Sequence, residues 1–175
     1  MSLIQVSHLT FQYDGGSERI FDDVSFQLDT DWKLGFTGRN GRGKTTFFKL
    51  LMGEYEYRGT LSASVKFAYF PYEVTDREDT ALQVAETAAG GRAEPWEVLR
   101  ELTLLQVPDE ALYRPFSTLS QGEQTKVLLA ALFLGENRFL LIDEPTNHLD
   151  AEARRVVSAY LHRKKGCLLY TSRCV

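Results

Sequence analysis

Apolar and polar residues alternate along the first third of the chain. Val24, Phe26 and Leu28 are separated by Ser25 and Gln27, the period of two that a strand with one buried face requires. Leu3-Ile4-Gln5-Val6 and Leu9-Thr10-Phe11-Gln12-Tyr13 are rich in β formers and predict two more strands, with Asp14-Gly15-Gly16-Ser17 as a turn. Lys33 to Thr37 predicts a short strand running into a glycine-rich loop. A helix over Lys44 to Met52 follows, ended by Gly53. Ser64 to Phe70 predicts another strand, stopped by Pro71. The period then lengthens. Thr80 can cap a helix over Ala81 to Ala89, closed by Gly90-Gly91. Pro95 suits the first turn of a helix reaching about Gln106, in which Val98, Leu102 and Leu105 share a face. Residues 73–118 therefore read as a small helical insert. A helix over Gly122 to Leu134, a strand Phe139 to Ile142 and a helix over Ala151 to Arg163 complete the pattern. Strands alternating with helices predict an α/β fold around a mostly parallel sheet.

Composition narrows the classes. The chain has 175 residues, 43% hydrophobic and 25% charged, a balance that supports one globular core. Its longest uncharged apolar run, Val127 to Gly135, is well short of the ~18–20 residues a membrane span needs. No basic and apolar leader opens the chain, and a net charge of −4 argues against generic nucleic-acid binding. Cys167 and Cys174 are the only cysteines, too few for a disulfide framework. A soluble, cytoplasmic domain without a membrane segment is the expectation.

The loop before the first helix carries the strongest chemistry. Gly38-Arg39-Asn40-Gly41-Arg42-Gly43-Lys44-Thr45-Thr46 matches G-x-x-x-x-G-K-[ST], placed after a strand and before a helix as that motif requires. Gly38, Gly41 and Gly43, with Asn40 between them, let the backbone curl so that its N–H groups face phosphate oxygens. The helix start adds its positive dipole end. Lys44 can reach the β and γ phosphates, the Thr45 hydroxyl suits Mg²⁺, and Thr46 is a further nucleotide-binding candidate. An ordinary glycine-rich turn is the bland alternative, which the flanking strand and helix disfavour.

Phe139 to Ile142 is a continuous apolar run, as in a strand buried on both faces, and Asp143 and Glu144 stand at its C-terminal end. Asp143 is the candidate Mg²⁺ carboxylate. Glu144 is the candidate for orienting and polarising an attacking water in line with the γ-phosphate. Read alone, the pair could equally be a solvated acidic turn before Pro145.

Leu119-Ser120-Gln121-Gly122-Glu123 opens the next helix, with Ser120 and Glu123 spaced as a capping box. Together with the phosphate loop and the acidic strand end, it resembles the signature sequence of ATP-binding cassette (ABC) ATPases, over nearly the whole chain. The resemblance implies a P-loop NTPase fold of the ABC type, with a mostly parallel sheet, flanking helices, an antiparallel β subdomain and the helical insert. It implies ATP and Mg²⁺ as ligands. Ser120, Gln121 and Gly122 would cap the nucleotide of a partner cassette, Asp150 would lie in the loop touching that partner, and Tyr13 would stack on adenine. Lys44 and Glu144 would be the catalytic residues, Thr45 and Asp143 the metal residues.

The stretch Asp143-Glu144-Pro145-Thr146-Asn147-His148-Leu149-Asp150 is similar to that of ABC-F proteins, soluble tandem-cassette factors that act on ribosomes. Trp32 to Phe36, Tyr69 to Tyr72, Tyr113 to Phe116 and Gln124 to Leu134 resemble the first cassette of the antibiotic-resistance group, which protects ribosomes from lincosamides, pleuromutilins and streptogramin A. The ribosome and a second cassette, absent from this chain, would be the partners, and a weak ATP-dependent homodimer is a further expectation. A transporter ATPase subunit and a nucleotide-binding fragment without turnover remain alternatives.

Two positions depart from the pattern. Tyr72, after Pro71, stands where cassettes usually place a metal-coordinating glutamine, and Tyr lacks an amide's paired donor and acceptor. Ser172 stands where the switch histidine is expected. Residues 167–175 can also be encoded by bases beginning TGT CTC TTA TAC ACA TCT, which resemble a transposon-derived sequencing adapter followed by a stop. The expectation is an incomplete cassette over residues 1–166, with a non-native tail that contributes both cysteines; a native strand Leu168 to Tyr170 with a short tail is the alternative.

Overall fold

The structure, a computed structural model, describes residues 3–39, 41–91, 93–135, 138–147, 149–164 and 168–173. Its elements in chain order are β1 (Leu3–Gln12), β2 (Arg19–Asp29), β3 (Lys33–Gly38), α1 (Lys44–Leu51), β4 (Arg58–Ala63), β5 (Lys66–Phe70), α2 (Ala81–Ala89), α3 (Pro95–Leu104), α4 (Gln121–Leu134), β6 (Arg138–Ile142), α5 (Ala151–Arg163) and β7 (Leu168–Arg173). Two short 3-10 turns, Asp109–Tyr113 and Phe116–Thr118, lie between α3 and α4. The chain divides into two compact units. The first holds the residues up to Tyr69, Arg138–Asp143 and β7, and the second holds the described residues of Phe70–Gly135 and Glu144–Lys164.

The first unit contains an antiparallel sheet ordered β2-β1-β4 and a second sheet ordered β3-β7-β6-β5, whose β3–β7 and β6–β7 pairs are parallel. Its core joins Ile4, Val6, Leu9 and Phe11 of β1, Phe47, Phe48 and Leu50 of α1, and Phe139 and Leu141 of β6. Rings of Phe21, Phe26 and Phe36 surround Phe47 at centroid distances of 6.0, 5.6 and 5.9 Å. Burying a phenylalanine side chain contributes roughly 1.5–3 kcal/mol, so the aromatic side of α1 fixes the helix that follows the phosphate loop.

Two features differ from the sequence expectations. The two strands expected around residue 8 are one, bulged where His8 adopts φ 53° and its N–H donates to Ser25 Oγ at 2.8 Å. Strand β4 was not expected, because Arg58 to Ala63 lacks a clear apolar alternation and only Leu61 turns inward. Its Gly59 is required by sterics, since a Cβ there would lie 2.4 Å from the His8 carbonyl oxygen. The strand held open as an alternative over Leu168 to Tyr170 is present as β7. Residues 168–173 form a strand between β3 and β6, with Leu168, Leu169 and Thr171 buried.

In the second unit α4 is enclosed, with every residue from Val127 to Leu132 buried, as befits a helix apolar on all sides. The capping box that begins α2 at Thr80 and Gln83 is present, as is Pro95 in the first turn of α3. A buried carboxylate ties α3 to α5. Glu101, 3% exposed, accepts from Tyr160 Oη at 2.7 Å and from Lys164 Nζ. Burial alone would raise the Glu101 pKa, but the bonds from Lys164 and Tyr160 outweigh it and hold it below the ordinary value. Burial, then the bond to Glu101, pushes the Tyr160 phenol up, so it remains a donor.

Two predictions follow from this packing. Glu101→Ala removes the acceptor shared by Tyr160, Lys164 and Arg100 and should cost about 1.5–3 kcal/mol, read as a lower thermal midpoint. Because the native pKa is depressed, the Glu101 contribution is full above the ordinary value of 4.5 and is lost as pH falls through the lowered one. Wild type and variant should therefore converge in acid, and equal midpoints at neutral pH would exclude the clamp. Deleting residues 167–175 removes two buried leucines at roughly 1.5–3 kcal/mol each, together with both ladders. The midpoint should fall by about 10 °C or more, and an unchanged melt would show that β7 does not occupy the sheet.

Candidate functional site

Strand β3 ends at Gly38 and α1 begins at Lys44, so the loop between them is held by a sheet on one side and by a helix with a buried aromatic face on the other. Gly43 has φ 86°, and a Cβ there would come within 2.6 Å of Ile20 Cγ2. Conformation and space both demand glycine. Among the described residues no side chain caps α1 and no acidic residue lies in its first turn, so its leading amides suit an anion. Lys44 is 5% exposed, and its Nζ donates to the carbonyls of Gly38 at 2.7 Å and Arg39 at 3.2 Å. Its ammonium is thereby held at the mouth of the loop. Gly41 is left-handed like Gly43, whereas Asn40 lies outside the described residues.

Asp143, at the end of β6, faces this loop. Its Oδ2 accepts from Thr45 Oγ1 at 2.5 Å and from Tyr69 Oη at 3.1 Å, and its Oδ1 accepts from Thr171 Oγ1 at 2.6 Å. Burial, followed by the Asp143 charge, raises the Tyr69 pKa and keeps the phenol protonated as a donor. No group of three His, Cys, Asp or Glu is arranged for a metal among the described residues. One carboxylate and one hydroxyl, both hard oxygen donors, instead fit Mg²⁺, which takes few protein ligands when phosphates supply others.

Tyr13 is 41% exposed and packs edge-on against Phe11 and Tyr55, at 5.0 and 5.6 Å. Its hydroxyl lies 2.7 Å from Thr46 Oγ1 in the first turn of α1, which anchors the ring near the loop.

The remaining candidates belong to the second unit. Glu144 sits at φ 45°, a left-handed conformation that costs a non-glycine residue on the order of 1–3 kcal/mol. Asn147 supports it, donating its backbone N–H to the Glu144 carbonyl at 3.0 Å and its side-chain amide to Glu144 Oε2. Ser120 caps α4 as expected: its N–H and hydroxyl donate to Glu123 Oε2 at 2.8 and 2.7 Å, and its oxygen accepts from Glu123 N–H at 3.3 Å. The bond from Ser120 is the main cause that holds Glu123 below the usual carboxylate range. Gln121 begins the helix itself, and a Cβ on Gly122 would make only an ordinary 3.7 Å contact with Leu149. Asp150 caps α5 by accepting from Ala153 N–H at 2.7 Å. His148 lies outside the described residues.

The first unit thus brings together Gly38, Gly41, Gly43, Lys44, Thr45 and Asp143, and places Tyr13 on Thr46. Sequence reasoning missed Tyr69 and Thr171 as partners of Asp143, and Asn147 as the partner of Glu144. Tyr69 had one signal: Phe67 and Tyr69 alternate onto one face of β5, and Tyr69 lies at the strand's C-terminal end.

The family model described as ABC transporter matches residues 21–147. ATP-binding cassette sub-family F member 3 of Rattus norvegicus is 31% identical over 97% of this chain, and the Uup-like ATP-binding protein of Haemophilus influenzae is 32% identical over 91%. The chain spans 24% and 37% of those two proteins. Among solved structures, an ABC transporter ATP-binding protein from Pyrococcus furiosus superposes with a TM-score of 0.83 at 21% identity, covering 99% of this chain and 92% of the other. A bacterial ABC transporter cassette solved as a dimer, MJ0796, gives 0.78 at 16% identity, covering 97% and 87%. At those identities the structures speak for the fold alone, which is that of ABC cassettes. A glycine loop closed by a buried lysine, a Thr45–Asp143 pair beside it and a family match over most of the length lead to one conclusion: the chain belongs to the ABC transporter family and is an ATP-binding domain of the ATP-hydrolysing type.

Proposed function

We propose that this chain is a cassette of an ABC-F protein that binds Mg-ATP in the loop of Gly38 to Thr46. The convergence of Lys44, Thr45 and Asp143 carries that reading. Backbone amides of the loop and of α1 receive the phosphates, and Lys44 faces the β and γ groups. Thr45 and Asp143 hold Mg²⁺, which when bound neutralises charge on the phosphate oxygens. Tyr13 offers a ring to the base. Glu144, fixed by Asn147, orients the attacking water.

The family's half-site logic gives Ser120, Gln121, Gly122 and Asp150 to the nucleotide of a second cassette. That partner is another cassette of a longer protein or a second copy of this chain in a weak, ATP-dependent dimer. The space beside Gly122 supports the assignment, because the chain's own packing does not require glycine there. In the longer protein, closing and opening of two cassettes would act on a ribosome in the cytoplasm, in the manner of the antibiotic-protection group. Asn147 and the sub-family F relatives support this. The adapter origin of residues 167–175 is part of the same reading and is tested by sequencing genomic DNA past codon 166.

A transporter subunit is the second reading, favoured by the family description and the solved neighbours. No helix among the described residues is long and apolar enough to cross a membrane, so a transporter would need separate membrane segments. Co-sedimentation of the tagged chain with ribosomes supports the first reading, and co-purification with membranes supports the second.

Two measurements test the site. Lys44→Ala should weaken Mg-ATP binding by about 10–100-fold, the loss of a charge-assisted hydrogen bond of roughly 1.5–3 kcal/mol. Undiminished affinity in a folded variant would remove the phosphate-loop assignment. Steady-state phosphate release by the isolated chain at saturating Mg-ATP should be slow. Missing positioned groups from a partner commonly cost 10²- to 10⁴-fold in rate. Glu144→Gln should change that slow rate little, and robust, Glu144-dependent turnover by the lone chain would show that no partner is needed.

A further inference from the structure

We propose that Tyr69 is a positioning residue for the metal, its hydroxyl fixing the Asp143 carboxylate so that an oxygen is presented beside Thr45. The inference deepens the Mg-ATP reading above and rests on it.

A carboxylate at the end of a strand can rotate about two bonds, and a hard cation held by one such group needs that rotation stopped. Asp143 is held by three hydroxyls, which are not equivalent. Thr45 is itself a metal residue, so its bond to Oδ2 cannot be a fixed support for Asp143. Thr171 holds the other oxygen, Oδ1. Tyr69 is the hydroxyl from outside the metal pair that reaches Oδ2, at 3.1 Å. Its ring is suited to the task. It is half-buried, packs edge-on against the fully buried Phe48 at 6.3 Å, and lies on β5, the neighbour of β6 in the sheet. A phenol on a packed ring has two torsions to restrain, which makes it a stiffer donor than a long polar side chain. Such outer partners of a metal ligand typically contribute 10–100-fold in metal affinity.

The test compares the affinity of the 175-residue chain for a fluorescent ATP analogue in EDTA and in saturating Mg²⁺. The ratio of the two is the metal's own contribution. Tyr69→Phe keeps the ring and removes the donor. It should leave the EDTA affinity within about twofold while reducing the ratio about tenfold. A merely structural role would move both affinities together, and that outcome overturns the proposal. So does an unchanged ratio in Tyr69→Phe when Asp143→Asn loses the Mg²⁺ enhancement. If Asp143→Asn keeps the enhancement, or wild type shows none, the Mg-ATP reading itself fails and takes the proposal with it. Should Tyr69→Phe not fold, Tyr69→Met fills the slot with an unbranched side chain. Failure of both to fold would assign Tyr69 to the core and also overturn the proposal.

Discussion

The carboxylate of Asp143 must find donors at the end of a strand whose preceding four residues are all buried. Three hydroxyls meet it, from segments 98, 74 and 28 residues away in the chain. One comes from the first turn of α1, one from the end of β5 and one from β7, so the group ties together much of the first unit at one end of its parallel sheet. Register explains the convergence. Ile142 pairs with Tyr170, so the next position on each strand brings Asp143 level with Thr171, while Gly38 pairs with Arg173. The acidic strand end and the start of the phosphate loop are brought to the same sheet edge by the strand between them. Ligands bind at that edge in open α/β sheets because the strands' carboxyl ends and the helix starts face it together.

Much of this was legible beforehand, for local reasons. The glycine loop carries its own signal, since its glycines stand at fixed spacing ahead of Lys44, between a strand and a helix that are themselves readable. The capping boxes at Thr80 and Ser120 were readable because a cap is made by residues three apart. What was not legible depended on distant pairing. The partners of Asp143 lie on other strands, and only the sheet order makes Tyr69 and Thr171 its neighbours. Strand β4 escaped because an edge strand with one inward residue has almost no apolar period. The break expected near His8 proved to be a bulge, which interrupts the pattern of a strand without ending it.

The strand β7 shows how little a buried sheet position asks of its sequence. Leu168 and Leu169 fill the core, Thr171 supplies a hydroxyl, and Tyr170 lies across Gly35, where a side chain would come within 3.2 Å of the phenol oxygen. Apolar β formers with a hydroxyl at the right place satisfy both neighbours. Pattern governs such a slot, whatever the origin of the residues that fill it.

Two helix starts differ in what they offer an anion. Helix α1 begins on Gly43, whose conformation no side chain could adopt cheaply, with a buried lysine as its first residue and no acidic group in its first turn. Its field is positive and its amides suit an anion directly. Helix α4 begins on Ser120, whose hydroxyl already donates to Glu123, and the carboxylate of Glu123 adds a negative charge to the same turn. A phosphate approaching α4 meets a like charge and must replace an existing hydrogen bond, so binding there starts with a deficit that α1 does not have. Under the proposed Mg-ATP reading, the primary hold on nucleotide falls to α1, Lys44 and the Asp143 pair. Under the same reading, the start of α4 adds to that hold only where a second surface has already placed the phosphate.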